Sequence, residues 1–274
     1  MKIGLIGCGN MARALARGWG RPVLCADPVA GRAAGLAEET GGEALESNAE
    51  VAARSELIVL CHKPAQLAAV AVEVGEGHTP VASILAVTPL AALREAYPGR
   101  PVYRFIPSLP VEVRQGAVVQ AAGSGLPAAG AGADADGPAE ATASAGGGED
   151  DPVAALFAEL GTLVVLDDAL VDVAMGLMSC APAYVALVAE AQIDAGVRRG
   201  VPAAQGAELV VQTLAGTAEL LRRRGHDTMA VRREVSSPGG LTARGVDALE
   251  RAGLRRAFSD ALDAVLRDSP EGLR

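Results

Sequence analysis

Aromatic side chains are nearly absent from this chain: one Trp, three Tyr and three Phe make up 3% of its 274 residues, although half of all residues are hydrophobic. Its core must therefore be packed from Ala, Val and Leu, small side chains that let helices approach closely. Cysteine is scarce as well. Cys8, Cys25, Cys61 and Cys180 form no CxxC pair and no zinc-ligand or disulfide-framework spacing, so no metal site is expected and a reducing cytoplasm fits best. Positive charge is in the minority, 24 Lys and Arg against 33 Asp and Glu, for a net charge of -9. Nucleic acid and anionic membranes need clustered cations and are not expected partners. A long apolar run is missing too, since Asp167, Asp168 and Asp172 break the longest candidate, and no membrane span is expected. The apolar N-terminus is interrupted by Gly4, Gly7, Gly9 and Asn10 without a basic flank or cleavage site, so it reads as a strand.

What is present is alternation. Lys2–Ile6, Val23–Ala26, Leu57–Cys61, Val81–Leu85 and Val102–Ile106 are β-prone runs, with helical patterns between the first three, and Met11–Trp19 is helical. Ala117–Gln120 and Leu163–Leu166 extend the series, and the alternation predicts a parallel α/β sheet. Beyond Asp168 the signals are helical: Ala183–Arg199, Pro202–Arg224 and Asp247 onward, punctuated by Gly200 to Pro202 and Gly225 to Asp227. The length allows two domains, placed at 1–168 and 169–274. Residues 123–150 hold mostly Gly, Ala, Pro, Ser and acids without an aromatic or β-branched aliphatic residue. Such a segment cannot bury enough apolar surface to order itself, so it is expected to be a disordered insertion, either a solvated spacer at a loop tip or a mobile lid.

Gly7-Cys8-Gly9-Asn10-Met11-Ala12 is a GxGxxA loop lying directly after the first strand and opening the first helix. In that context it predicts a Rossmann-like dinucleotide site: Gly7 for the tight turn, Gly9 for close approach of the pyrophosphate, Ala12 for helix–strand packing, and the helix N-terminus at Asn10 and Met11 for the phosphates. Asp27 ends the second strand about 20 residues on, where an acid accepts hydrogen bonds from the adenosine ribose and repels a 2′-phosphate. NAD(P)H is the expected cofactor, with NADH slightly favoured. Arg32 is close enough in sequence to reverse that order, and a plain turn-initiating Asp before Pro28 is the other meaning of Asp27. Cys8 reads as a small apolar filler.

Glu234 to Thr242, with Ser236-Ser237-Pro238-Gly239-Gly240 at its centre, precedes a helical pattern and leaves several backbone N–H groups free for a small carboxylate. A simple helix cap is the alternative. The segment resembles the SSPGGxT signature of pyrroline-5-carboxylate reductases, and Ile6 to Leu15 resembles that family's opening. Cys61-His62-Lys63-Pro64 is similar to its strand-ending VKP, Tyr103 to Gly116 to its IRxMPNTP stretch, and Pro182-Ala183-Tyr184 with Glu190 to Pro202 to elements of its helical domain. The resemblance spans nearly the whole chain except the 123–150 insertion. It implies an all-α C-terminal dimerisation domain, a homodimer or higher homo-oligomer, and hydride transfer to the C=N carbon of an imino acid, giving proline.

By the same resemblance, Thr242 hydrogen-bonds the substrate's ring nitrogen, and Ser237, Gly239 and Gly240 form the carboxylate-binding turn, with Ser108 a further substrate contact. Asn48, Lys63 and Pro64 match cofactor-side positions. A threonine hydroxyl is too weak an acid to be a terminal proton source, so Thr242 is expected to orient the nitrogen or relay from water. His62, His78 and His226 are expected to be surface or loop residues. The family's MPNTP is replaced by Ile106 to Pro110, and its SGSGPAY by Met178 to Tyr184. Two alternatives stay open: a reductase of another cyclic imine or small oxo acid, and a non-catalytic NAD(P)-binding protein.

Overall fold

The structure is a computed structural model that describes residues 1–125 and 151–267. Most of the insertion read as a spacer or lid, residues 126–150, lies outside the described residues. By packing, the described chain divides into two compact units, residues 1–180 and Ala181–Arg267.

In the first unit the strands are β1 (Ile3–Ile6), β2 (Val23–Ala26), β3 (Glu43–Ala44), β4 (Leu57–Leu60), β5 (Val81–Ser83), β6 (Val102–Pro107), β7 (Gly116–Ala121) and β8 (Gly161–Leu166). They form an eight-stranded sheet in the order β3-β2-β1-β4-β5-β6-β7-β8. Helices α1 (Asn10–Trp19), α2 (Arg32–Thr40), α3 (Asn48–Arg54), α4 (Leu67–Val74), α5 (Leu90–Ala96), α6 (Pro152–Ala158) and α7 (Val171–Met178) complete the unit. Every residue of β1 and β4 is buried. Alternate residues serve opposite faces, as the two-residue strand period requires: Ile3, Leu5, Leu57 and Val59 join one hydrophobic cluster, Ile6, Ile58 and Leu60 the other. The few aromatics are concentrated on the first face, where Phe105 stacks on Phe157 at 3.9 Å and Trp19 meets Phe157 edge-on at 5.5 Å. The Trp19 indole N–H donates to the Leu156 carbonyl at 3.0 Å, fastening α6 beside α1.

Seven of these strands coincide with the predicted β-prone runs to within two residues; β3 carries too little pattern in its two exposed residues to be seen. The all-parallel expectation is corrected at one place. β7 runs antiparallel to β6 before β8 pairs parallel with β7. Only a short 3-10 turn, Leu109–Val113, joins β6 to β7, and a parallel crossover needs a dozen residues or more.

The packing also moves the boundary expected at Asp168. The sheet does end there, but α7 remains with the first unit: Val171 and Ala174 share a cluster with Ile106, Val119 and Ala121. Arg104 on β6, 1% exposed, donates to Asp168 Oδ1 at 2.7 Å and to Asp172 Oδ1 at 2.6 Å. Asp168 Oδ2 in turn accepts the Leu90 N–H, and Asp172 Oδ1 the Val87 N–H, so one ion cluster ties α7 to β6 and to the start of α5.

The second unit is helical: α8 (Ala181–Val197), α9 (Ala203–Arg223), α10 (Thr228–Val235), α11 (Leu241–Arg251) and α12 (Leu254–Leu266). The helical pattern expected to follow the Glu234 to Thr242 segment begins at Leu241, and the long helix expected from Asp247 onward breaks at Gly253, which separates α11 from α12. Of the described residues in this unit only Gly206 and Val231 are buried, whereas Leu187 and Leu209 are each 65% exposed and Leu241 is 80% exposed. The stretch 168–197 is long and apolar enough, by length and composition, to cross a membrane, with a mean hydropathy of 1.7. Asp172 and Glu190 bound its longest uncharged stretch, which Ser179 and Pro182 interrupt, so it holds no continuous apolar run of that length.

Candidate active site

The strand order reverses between β1 and β4, and in open α/β sheets the crevice beyond the carboxyl ends at such a reversal is where ligands bind. A cleft of about 540 Å³ lies there, lined among others by Gly7, Asp27, Asn48, His62, Gln66 and Glu73. Gly7 holds φ +97°, and a β-carbon there would come within 2.8 Å of the Cys61 backbone. Only glycine satisfies both the turn and this approach of the loop after β4. At Gly9, by contrast, a β-carbon would meet nothing within 4 Å, which leaves the mouth of the loop open to a pyrophosphate. Gly9 caps α1 without a side-chain bond, so the amides of the first turn at Asn10 and Met11 point out unpaired by the helix. Asn10 is exposed, Met11 packs partly against the core, and Ala12 is buried.

Asp27 has a more particular place than the sequence implied. Its Oδ2 accepts the Cys8 N–H at 2.7 Å and its Oδ1 the Val29 N–H at 2.8 Å. The carboxylate thus joins the glycine loop to the turn after β2 and is both the turn residue and the acid of the cleft. Each oxygen keeps a lone pair for a ribose hydroxyl. Arg32, the residue that could have reversed cofactor preference, begins α2 and is not among the residues lining the cleft. Acids are: Glu46 and Glu73 join Asp27, and the Asn48 amide donates to Glu73 Oε2 at 2.6 Å. Cys8 is buried in the core, and its hydrogen bond with Cys25 followed by burial pushes its thiol pKa far up, as suits a filler.

Lys63 and Pro64 form the loop beyond β4. The Lys63 N–H donates to Gln66 Oε1 at 3.0 Å, and Pro64 opens the 3-10 turn Pro64–Gln66 that leads into α4. Next to them His62 is partly buried, and not a plain surface residue. Its Nδ1 lies 2.9 Å from the Lys63 carbonyl and must carry the proton, since a carbonyl only accepts. Nε2 is then bare, and it is buried without a partner among the described residues. Burial pulls the His62 pKa down, against a smaller upward pull from that backbone bond. Glu46, Gln66 and Glu73 escaped motif reading because no motif carries them, and His62 lay inside the stretch similar to VKP without a role of its own; the available signal was position, on or just beyond the loops that follow strands at the reversal point.

Ser108 is not available as expected. It is 3% exposed, its Oγ accepts the Ala117 N–H at 2.9 Å and lies 3.1 Å from the Ala117 carbonyl, to which it donates. The hydroxyl splices β6 to β7 across their short connection and offers nothing to a substrate.

In the helical unit, Ser237 to Gly240 is a tight turn closed by the Gly240 N–H on the Ser237 carbonyl at 3.0 Å. Pro238 in its second position and Gly239, at φ +71°, in its third give the pattern of a type II turn. A β-carbon on Gly240 would lie 2.4 Å from Ser237 Oγ, so glycine there lets the hydroxyl sit against the start of α11. Gly240 caps α11 without a side-chain bond, and the first intrahelical bond is that of Arg244 N–H to the Gly240 carbonyl. The N–H groups of Leu241, Thr242 and Ala243 therefore have no acceptor within the helix. Thr242 is exposed in this first turn.

A doubly wound sheet with a glycine loop and an acid after its second strand, followed by a helical unit, defines a nicotinamide-dependent oxidoreductase. The family model described as pyrroline-5-carboxylate reductase dimerisation matches residues 168–271, and one described as NADP oxidoreductase, coenzyme F420-dependent, matches residues 2–87. The pyrroline-5-carboxylate reductase of Thermus thermophilus is 33% identical over 99% of this chain and 98% of its own, and that of Synechocystis sp. 31% identical over 99% and 98%. The chain belongs to the pyrroline-5-carboxylate reductase family. Among solved structures, the Plasmodium falciparum pyrroline carboxylate reductase with NADP bound shares the fold, with a TM-score of 0.79, 23% identity, and coverage of 97% of this chain and 95% of that one.

Proposed function

We propose that this protein reduces the C=N bond of pyrroline-5-carboxylate to give proline, using NAD(P)H, as a cytoplasmic homodimer or higher homo-oligomer. The observation that carries it is the co-occurrence, in a member of this family, of an open phosphate loop at Gly7 to Met11 with a glycine turn whose helix amides are unspent. Bound NAD(P)H supplies a hydride to the imine carbon, while the nitrogen takes a proton. Gly7, Gly9, Asn10 and Met11 receive the pyrophosphate, Asp27 and Asn48 the adenosine side, and Lys63 and Pro64 border the nicotinamide. Ser237, Gly239 and Gly240 take the substrate carboxylate on the N-terminus of α11, a local field that offsets the overall negative charge. Thr242, one helical position on, orients the ring nitrogen or relays its proton from water. Positioning of this kind lowers barriers by roughly 7 to 11 kcal/mol.

NADH is favoured over NADPH on this reading, because Asp27, Glu46 and Glu73 would face a 2′-phosphate with negative charge. A reductase of a different cyclic imine is the second reading, supported by Ser108, whose hydroxyl is spent on Ala117. One experiment decides: NADH and NADPH oxidation followed with pyrroline-5-carboxylate and with its six-membered cyclic homologue. Turnover of the five-membered ring with NADH ahead of NADPH is expected, and cofactor binding without turnover of that ring would overturn the proposal. Thr242→Ala should lower kcat at least tenfold with cofactor affinity unchanged; an unaltered kcat removes Thr242 from the mechanism.

A further inference from the structure

A second cavity, of about 600 Å³, opens between α4 and α5 of the first unit. Its polar corner holds Gly75 after α4 and Arg100 before β6, whose guanidinium reaches Thr79 before β5, so it stands at the amino ends of the strands, away from the cofactor cleft at their carboxyl ends. Its walls are aliphatic, with Ala68, Ala71, Val72, Ala92 and Ala96 among them. Two buried polar groups belong to the same lining. Arg100 is 6% exposed, and its guanidinium donates to the Thr79 and Gly75 carbonyls, each at 3.0 Å, with no acidic partner among the described residues. Tyr97 is 2% exposed, and its hydroxyl is buried without a hydrogen-bond partner among the described residues.

A guanidinium has five N–H donors, and a buried hydroxyl without a partner carries its full desolvation cost. A cation held by carbonyl dipoles beside an unspent O–H leaves donors free for an anion. Burial accordingly pulls the Arg100 pKa down, with no carboxylate to oppose it. At the rim stand the exposed Glu76 and Glu95. These carboxylates would repel a bare anion but pair with one that carries its own ammonium. We propose that this cavity binds a small aliphatic α-amino acid. Its carboxylate accepts from the Tyr97 O–H and a remaining Arg100 N–H, its ammonium pairs with Glu76 or Glu95, and its side chain lies on the alanine wall.

L-valine is the probe, titrated calorimetrically into the full-length protein, with isovalerate and isobutylamine as the analogues lacking the ammonium and the carboxylate. The amino acid should bind at least tenfold more tightly than either analogue. Tyr97→Phe removes only the hydroxyl and should weaken L-valine about tenfold, the worth of one hydrogen bond to a charged group, with NADH affinity unchanged. Ala92→Phe, which fills the cavity and leaves Arg100 in place, should abolish the heat. Binding undiminished in both variants, or competed away by pyrroline-5-carboxylate, would overturn the proposal. So would the absence of any L-valine heat in the native protein.

Discussion

Gly7 is constrained twice, by a left-handed φ and by the Cys61 backbone 2.8 Å from where a β-carbon would stand. Gly7→Ala is therefore expected to cost about 1 to 3 kcal/mol of stability and to weaken NADH binding, because relieving the clash moves the loop that receives the pyrophosphate. Chemical denaturation and cofactor fluorescence titration measure both; a variant of native stability and affinity would mean the loop has room that its geometry denies. The motif announced Gly7 and Asp27 in the sequence. What no motif could announce was that Asp27 also binds the Cys8 amide, or that Ser108 is consumed by Ala117, since both depend on residues brought together by β-strand pairing. His62 gives a second test at this scale. Its folded pKa lies below the unfolded value, so the unfolded chain binds more protons between the two. Its stabilising contribution is complete above about pH 6.5 and falls away as pH drops from there toward the folded pKa. His62→Leu should lose less melting temperature than the native protein when pH is lowered from about 7 to 5.5. Identical losses would show that His62 does not titrate in this range.

Among the elements, the cluster of Arg104, Asp168 and Asp172 decides where α7 belongs. Arg104 is 1% exposed and the Asp172 side chain 6%, so screening by water is slight for that pair, while Asp168 at 28% contributes less. Removing the cation alone, in Arg104→Met, leaves the buried Asp172 carboxylate without its partner and should cost about 3 to 5 kcal/mol. Arg104→Met combined with Asp172→Leu should recover part of that loss in urea unfolding. Simple additivity of the two substitutions would show that the pair is not coupled. Strand and helix positions were legible because β1 and β4 are short, continuous β-prone apolar runs and α1 carries helical periodicity. The direction of β7 was not, because it follows from the shortness of one connection and from pairing partners, and the boundary at α7 was hidden because its decisive contacts reach back to Arg104 on β6.

At the scale of the whole molecule, the helical unit is incomplete by its own surface. Its helices were visible as patterns in the sequence, but pattern alone could not reveal that, among the described residues, almost none of their apolar side chains would be fully buried. Leu187, Leu209 and Val211 are 65%, 65% and 60% exposed, and exposed apolar surface of this kind marks interaction sites when it is contiguous. The match of residues 168–271 to a family model described as dimerisation supports the proposal that a second copy covers that surface. Burying a Leu side chain is worth about 1.5 to 3 kcal/mol, and a two-fold interface counts each residue twice, so Leu209→Glu should weaken self-association by at least about 3 to 6 kcal/mol. Sedimentation velocity should then show monomers at micromolar concentration where the native chain remains associated. Because the substitution lies far in sequence from Gly7 and Asp27, NADH binding to the first unit should persist while reductase activity is lost. If Leu209→Glu stays associated and active, that face is not the one a second copy covers. If it dissociates and keeps full activity, each chain carries a complete site, and association serves stability alone.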